Sequence, residues 1–256
     1  MSLVVRKVAG LATIQDDGRV GFAAQGVPRG GALVRSLAHR ANRAVGNADG
    51  AACVEIFGKL VVAAEHDVVI ATERGDARTL RAGEEIAIDS DGSLRVRYLA
   101  IAGGVEAPSY FGSRSTLVVA GIGRALRTGD RIAPSVAPGA PRTLEPFVTS
   151  GSIRFIPGPD ALGLAPSLAA HVWRIGSASD RTGTRLEGHP LDAPPVTASS
   201  PMVCGAIQLP PSGAPIVIGP DGPTTGGYPI VGVLARADRD RFHALPIGAA
   251  VRFQVI

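Results

Sequence analysis

The chain has 256 residues, 45% of them hydrophobic and 19% charged, a formal net charge of +4, and 33 Gly beside 20 Pro. That length suffices for one large domain or two lobes with a sizeable core, and the frequent Gly and Pro exclude a long helical bundle in favour of short strands joined by turns. Lys7 and Lys59 are the only lysines and the arginines are scattered, so no basic, aromatic-interleaved surface for nucleic acid is expected.

In chain order, Leu3–Val8 and Leu11–Ile14 read as strands, followed by a turn-rich stretch to Gly21. From about Ala32 to Val45 the spacing of Leu33, Leu37, Ala41, Ala44 and Val45 predicts a helix, which Gly46-Asn47 would stop. Val54–Phe57, Leu60–Ala63, Val68–Thr72, Glu85–Asp89 and Leu94–Ala100 then read as strands. Pro134–Pro146 holds four prolines and reads as a linker, dividing an N-terminal lobe (1–142) from a C-terminal one (143–256). The second lobe resumes with Ile153–Ile156, Val172–Gly176, Gly205–Leu209, Pro215–Ile218 and Ile230–Arg236, then a short helix near Asp238–Leu245 and a last strand, Val251–Ile256. A turn-then-strand echo, Leu-x-x-Gly-x-x-Ile/Val, starts at Leu80, Leu126 and Leu245 and favours a barrel. The fold class is mainly β, in two β-rich lobes with few short helices. Aromatic residues are only 4%, so the core is expected to be built from Val, Ile, Leu and Ala.

Cys53 and Cys204 are far apart and form no Cys-x-x-Cys pair, which points to two buried free thiols and a reducing compartment. The apolar run after Met1 is too short for a signal-peptide core, and no stretch of about 18 apolar residues occurs, so a soluble cytoplasmic protein without membrane contact is expected. Gly58-Lys59 lacks the rest of a phosphate-binding loop, since Cys53 and Leu60 stand where Gly and Ser/Thr are needed. His39, His66, His171, His189 and His243 show no metal-ligand spacing, and no Gly-x-Ser-x-Gly elbow or Ser–Ser–Lys arrangement is visible. No metal site is expected.

What remains is a set of glycine-rich polar loops suited to gripping carboxylates, phosphates or ureido groups: Gln15–Gly21, Gly112–Thr116, Ser177–Arg185, Gly205–Gln208 and Thr224–Pro229. From residue chemistry, Arg19, Arg114, Arg181 and Arg185 are candidate anion contacts. Asp16 and Asp180 would orient those arginines or transfer protons, which makes Asp16, Arg19, Asp180 and Arg181 the catalytic candidates. Gln15, Asn42, Gln208 and Tyr228 would join Arg114 and Arg185 in binding an amide-like substrate.

These loops also carry a resemblance. The ordered motifs Gln15-Asp-x-Gly-Arg-x-Gly21, Gly26-Val-Pro28, Gly31-Ala32, Ala41-Asn42, Val45-Gly-Asn47, Glu55-Ile56, Tyr98-Leu-Ala-x-x-Gly-Gly104, Gly112–Thr116, Gly129-Asp130, Ser179–Leu186, Gly205–Pro211 and Thr224–Pro229 resemble those of allophanate hydrolase subunit 2, the biotin-dependent carboxyltransferase A/B domain family that includes KipA and the C-type component of bacterial ATP-dependent 5-oxoprolinase. The likeness runs from about residue 3 to 256. It implies a cyclophilin-like β-barrel lobe and a partner of the subunit-1 or KipI type, with two copies of each expected in the complex. Three functions follow as expectations. One is membership of a complex that opens 5-oxoproline to glutamate with ATP, together with a third protein like the A-type component of 5-oxoprolinase. The second is carboxyl transfer from carboxybiotin, as in urea carboxylases, with biotin arriving on another protein because no Ala-Met-Lys-Met-type carrier signature is present. The third is a KipA-like regulatory module. The chain departs from the family at Val34, where an Asp is usual, and at Ser199–Met202, where Ser-Glu-Gly is usual; it is also short, with its middle section trimmed.

Overall fold

The computed structural model describes residues 2–161, 163–195 and 198–256. They form two compact units, 1–19 with 30–147 and 20–29 with 148–256. Both are mainly β, with three short α-helices in all among the described residues.

In the first unit the strands are β1 (Leu3–Gln15), β2 (Cys53–Ala64), β3 (Val68–Thr72), β4 (Arg78–Leu80), β5 (Glu85–Asp89), β6 (Arg97–Ile101) and β7 (Arg131–Ile132), ordered β4-β3-β6-β2-β1-β7, with β5 also paired to β2. The two runs expected at the N-terminus are one strand. Gly10 sits directly opposite Gly58 of β2, both at positive φ, and a Cβ on Gly10 would lie 2.2 Å from the Phe57 carbonyl oxygen. Only glycine permits that approach. Past this point β2 changes partners, pairing with β6 over Val54–Ile56 and with β5 over Lys59–Ala63. Leu3, Val5, Val54, Ile56, Leu60, Val62, Ile70, Leu99 and Ile101 fill an almost purely aliphatic core.

Helix α1 (Arg35–Ala44) begins three residues later than the periodicity suggests. The cause is upstream: the Leu33 N–H donates to Glu55 Oε2 (2.7 Å) and the Val34 N–H to Tyr98 Oη (2.9 Å). Those bonds keep Leu33 and Val34 out of the helix, with Val34 at φ −121° and ψ 88°. Val34, at the N-cap position, offers no side-chain acceptor, so the buried Glu55–Tyr98 pair takes up donors at the helix entrance from across the sheet. The proline-rich segment lies along the other end of α1, with Gly139 N–H on Gly46 O (2.9 Å) and Arg142 N–H on Arg43 O (3.0 Å).

The second unit contains β8 (Ile153–Pro157), α2 (Leu164–Ala170), β9 (Val172–Ile175), β10 (Gly183–Glu187), β11 (Ser200–Pro201), β12 (Ala206–Gln208), β13 (Ile216–Ile218), β14 (Thr225–Gly226), β15 (Ile230–Leu234), α3 (Arg236–Ala244) and β16 (Ala250–Val255). Seven strands close a barrel in the order β10-β13-β12-β15-β8-β16-β9, and β11 pairs β14 separately. The pairings are antiparallel except β16 with β8. This closed barrel agrees with the expected fold class. The expectation of a core without aromatics fails here: Phe155, Trp173, Phe242 and Phe253 are buried together. Phe155 packs edge-on to Phe253 at 6.0 Å, and the Trp173 indole N–H donates to Leu168 O (3.0 Å). The aromatic part of the hydrophobic core thus lies in this unit, whereas the aliphatic cluster of the first unit contains none.

The sequence echo is a recurring turn. Gly83, Gly129 and Gly248 have φ of 85°, 91° and 82°. After each, an N–H returns to a carbonyl three residues back: Glu84 to Arg81, Asp130 to Arg127 and Ala249 to Pro246, at 2.9–3.0 Å. Positive φ at the third position marks a type II turn. Each glycine N–H also donates at 2.8 Å to a neighbouring carbonyl, of Ala64, Val5 and Ile175 respectively. The turns launch β5, β7 and β16.

Candidate functional site

In the first unit one carboxylate organises a loop. Asp16 Oδ1 accepts from the Ser113 hydroxyl (2.6 Å), the Ser115 hydroxyl and the Gly18 N–H (2.8 Å), while Oδ2 accepts the Arg114 N–H (2.6 Å). Gln15, fully buried, donates from Nε2 to Thr13 Oγ1 and Thr116 O, both 3.0 Å. Arg19 is 2% exposed and donates to the Ser115 carbonyl. Gln15, Asp16, Arg19 and Arg114 therefore come together, but the first three hold backbone and hydroxyls. Asp16 steers the Arg114 main chain rather than its guanidinium.

The Arg114 side chain is exposed and stands in the wall of a cavity of about 490 Å³, also lined by Glu106, Tyr110, Thr116, Arg124 and Arg131. It borders a second cavity of about 210 Å³ edged by Gly103, Gly104 and Ser135. Arg124 is bidentate on Asp130 (2.6 and 2.8 Å), and Arg131 grips Glu65 through Nε and Nη2. Arg114 and Glu106 have no ion pair and no side-chain hydrogen bond among the described residues.

Asn42 is elsewhere. Buried on α1, it donates to Asp49 O (3.1 Å) and Ala51 O (2.7 Å) and accepts from Asn47 (3.0 Å), so it shapes the connection to β2.

The second unit holds the other candidates. Asp180 Oδ1 accepts the Thr182 and Gly183 N–H groups (2.8 and 3.0 Å) and folds its own turn. Arg181 is buried and bidentate on buried Asp221, at 2.8 Å through both Nε and Nη2. Its charge is committed inside the protein. Arg185 is exposed on β10, with its N–H on Ser179 Oγ (2.9 Å). Gln208 is buried and donates to Tyr228 O (3.3 Å), while Tyr228 is 41% exposed.

Sequence reasoning passed over three groups. Asp17 accepts from Arg35 Nε (3.1 Å) and lies 2.7 Å from His39 Nε2. The hydrogen bond from His39 is the main reason its carboxyl is held down at about 2. The i, i+4 spacing of Arg35 and His39 was a usable signal. Glu106 and Asp221 carried none, because each stands among turn residues. Cys53 is buried and its thiol is pushed up by burial; Cys204 is only partly buried, against expectation, and is raised for the same reason. Lys59 lies mid-strand with Nζ 3.0 Å from Asp89, so Gly58-Lys59 forms no phosphate cradle. Among the described residues no His/Cys/Asp/Glu group could hold a metal, and no helix is long and apolar enough to cross a membrane.

The comparisons with known proteins agree with the sequence motifs. The C-type component of 5-oxoprolinase from Escherichia coli (strain K12) is 32% identical over 275 residues, covering 94% of this chain and 87% of that protein. Urea amidolyase of Lachancea kluyveri is 27% identical over 94% of this chain, but only 16% of its own length is involved. The crystal structure of TTHA0988 superposes with a TM-score of 0.88 at 28% identity over 99% of this chain, which spans 55% of that one. A family model, "Carboxyltransferase domain, subdomain A and B", matches residues 25–255. The chain belongs to this carboxyltransferase-domain family.

Proposed function

We propose that the chain is the C-type component of a cytoplasmic complex that opens 5-oxoproline to glutamate at the expense of ATP, acting with a subunit-1/KipI-type partner and a third protein like the A-type component of 5-oxoprolinase. The observation that carries this reading is the likeness to the C-type component of 5-oxoprolinase over nearly the whole of both chains. A lactam is resonance-stabilised, so ATP would activate its carbonyl for attack by water, and fixed cations and N–H groups would stabilise the developing anion. ATP is a co-substrate of the complex, and no residue of this chain is assigned to it.

Within this reading Arg114 is the substrate-anion contact, and Gln15, Asp16 and Arg19 are positioning residues that set its loop. Arg185 and Tyr228 are exposed and available for substrate. Asp180, Arg181, Asn42 and Gln208 act through the shape of the loops they hold. The test is reconstitution of the chain with both partners, 5-oxoproline and ATP, with glutamate as readout. ATP-dependent glutamate release that requires this chain is expected; its absence with all three proteins present removes the assignment.

A second reading draws on the likeness to urea amidolyase: carboxyl transfer from carboxybiotin carried by another protein. Carboxylation of urea by the chain with its partner and a biotinylated carrier, without lactam opening, would select it. Partner binding with neither activity would select a KipA-like regulatory module.

A further inference from the structure

We propose that the larger cavity of the first unit is a binding site for a free α-amino acid, with Arg114 taking the carboxylate and Glu106 the ammonium group. The inference rests on the reading above in one respect, that the amino acid is the reaction product, glutamate.

The charge pattern of the cavity selects this ligand. Three guanidinium groups line it, but Arg124 and Arg131 are each held by an acid, Asp130 and Glu65. Their fields are largely cancelled, and their donors face their partners. What is left is one cation, Arg114, and one anion, Glu106, without partners among the described residues. A phosphate or a dicarboxylate lacking an amine would meet a single available guanidinium and be repelled by Glu106. A zwitterion satisfies both groups. The Arg114 backbone is fixed by its N–H bond to Asp16 and by the Ser113 and Ser115 hydroxyls on the same carboxylate, so the guanidinium is mounted on an ordered base. Ile14, Pro108 and Leu126 provide apolar wall, and about 490 Å³ falls in the range of small-molecule sites.

The pattern also discriminates between lactam and opened amino acid. A lactam acid presents its carboxylate to Arg114 but only a neutral N–H to Glu106. The opened amino acid presents an ammonium, which makes an ion pair with the Glu106 carboxylate, whereas the lactam offers it a hydrogen bond from a neutral donor only. The cavity is therefore complementary to product over lactam, and glutamate would dwell there and compete with new substrate.

Calorimetric titration of the full chain with L-glutamate, 5-oxoproline and inorganic phosphate tests this. Saturable binding of L-glutamate, tighter than the other two, is expected. Glu106→Gln should weaken L-glutamate about tenfold and 5-oxoproline by less than about threefold, and Arg114→Gln should weaken both about tenfold, with Arg114→Lys restoring part. No saturable glutamate binding, tighter binding of phosphate, or equal losses for both ligands in Glu106→Gln overturns the proposal. The functional reading fails separately. A reconstituted complex inert toward 5-oxoproline, whose glutamate binding still depends on Arg114 and Glu106, removes the lactam-opening assignment and leaves the site. Full turnover with glutamate affinity unaltered in both variants removes the site and leaves the assignment.

Discussion

Two loops of this protein share a vocabulary of Ser, Arg, Gly and Asp and put it to opposite uses. In the first unit the acid that serves loop 113–116 comes from far along the chain: Asp16 binds Ser113 across 97 residues. It is occupied by two hydroxyls and two N–H groups, so the Arg114 guanidinium stays uncommitted. In the second unit Asp180 is spent on its own turn, and Arg181 is taken by Asp221, 40 residues on. An arginine in a polar glycine-rich loop is left available to a ligand only if the acids nearby have other employment. Burial accompanies the difference: Arg181, almost out of water, is paired with Asp221, whereas Arg114 is exposed.

That contrast can be broken at four points. Asp221→Asn should cost most, roughly 3–5 kcal/mol, because it leaves buried Arg181 without its counter-charge; urea denaturation showing a loss below about 1 kcal/mol would mean Arg181 is not committed in this way. Asp16→Asn removes a charged acceptor from several donors at once and should cost about 1.5–3 kcal/mol, with faster hydrogen exchange at the Arg114 amide; unchanged exchange would show that the loop holds itself. Asp17 titrates at about 2 in the folded chain against about 3.9 unfolded. Its contribution is therefore complete above pH ~4 and drains away as the pH falls toward 2. At 39% exposure the effect is reduced by solvent. Asp17→Asn should flatten that acid limb in melts at stepped pH, and a limb of unchanged slope would assign the acid sensitivity to other groups. Arg114→Gln should cost least, within about 0.5 kcal/mol of the parent, and a larger loss would reveal a structural bond to its guanidinium.

Much of the fold was legible because it rests on local signals. The α1 periodicity, the alternating strands and the Leu-x-x-Gly turns state their geometry in consecutive residues. Gly10 misled, since an isolated glycine reads as a strand break until Gly58 is known to face it. Helix α2 was missed because Leu164–Ala170 is short and contains Pro166, which a first helical turn tolerates. The start of α1 was misplaced because Glu55 and Tyr98, 22 and 64 residues downstream of their amide partners, hold its entrance open. The site divides in the same way. Arg114 and its loop could be named from composition, but Arg181 reads identically until Asp221 is found beside it, and Glu106 has meaning only as part of a cavity wall.

The path of the chain through its two units bears on how the molecule is made. Val20–Arg29 belongs to the unit that is otherwise completed only by Val148–Ile256. During synthesis those ten residues leave the ribosome before nearly all of the first unit and long before the strands they will join. The first unit can close once Phe147 has emerged, with a tethered loop held in reserve. Its neighbour must wait until Ile256 is out. A gene cut at codon 148 would thus yield a first fragment carrying a loop with nowhere to dock and a second missing its earliest piece, so single-point fission is a poor route to separating these units.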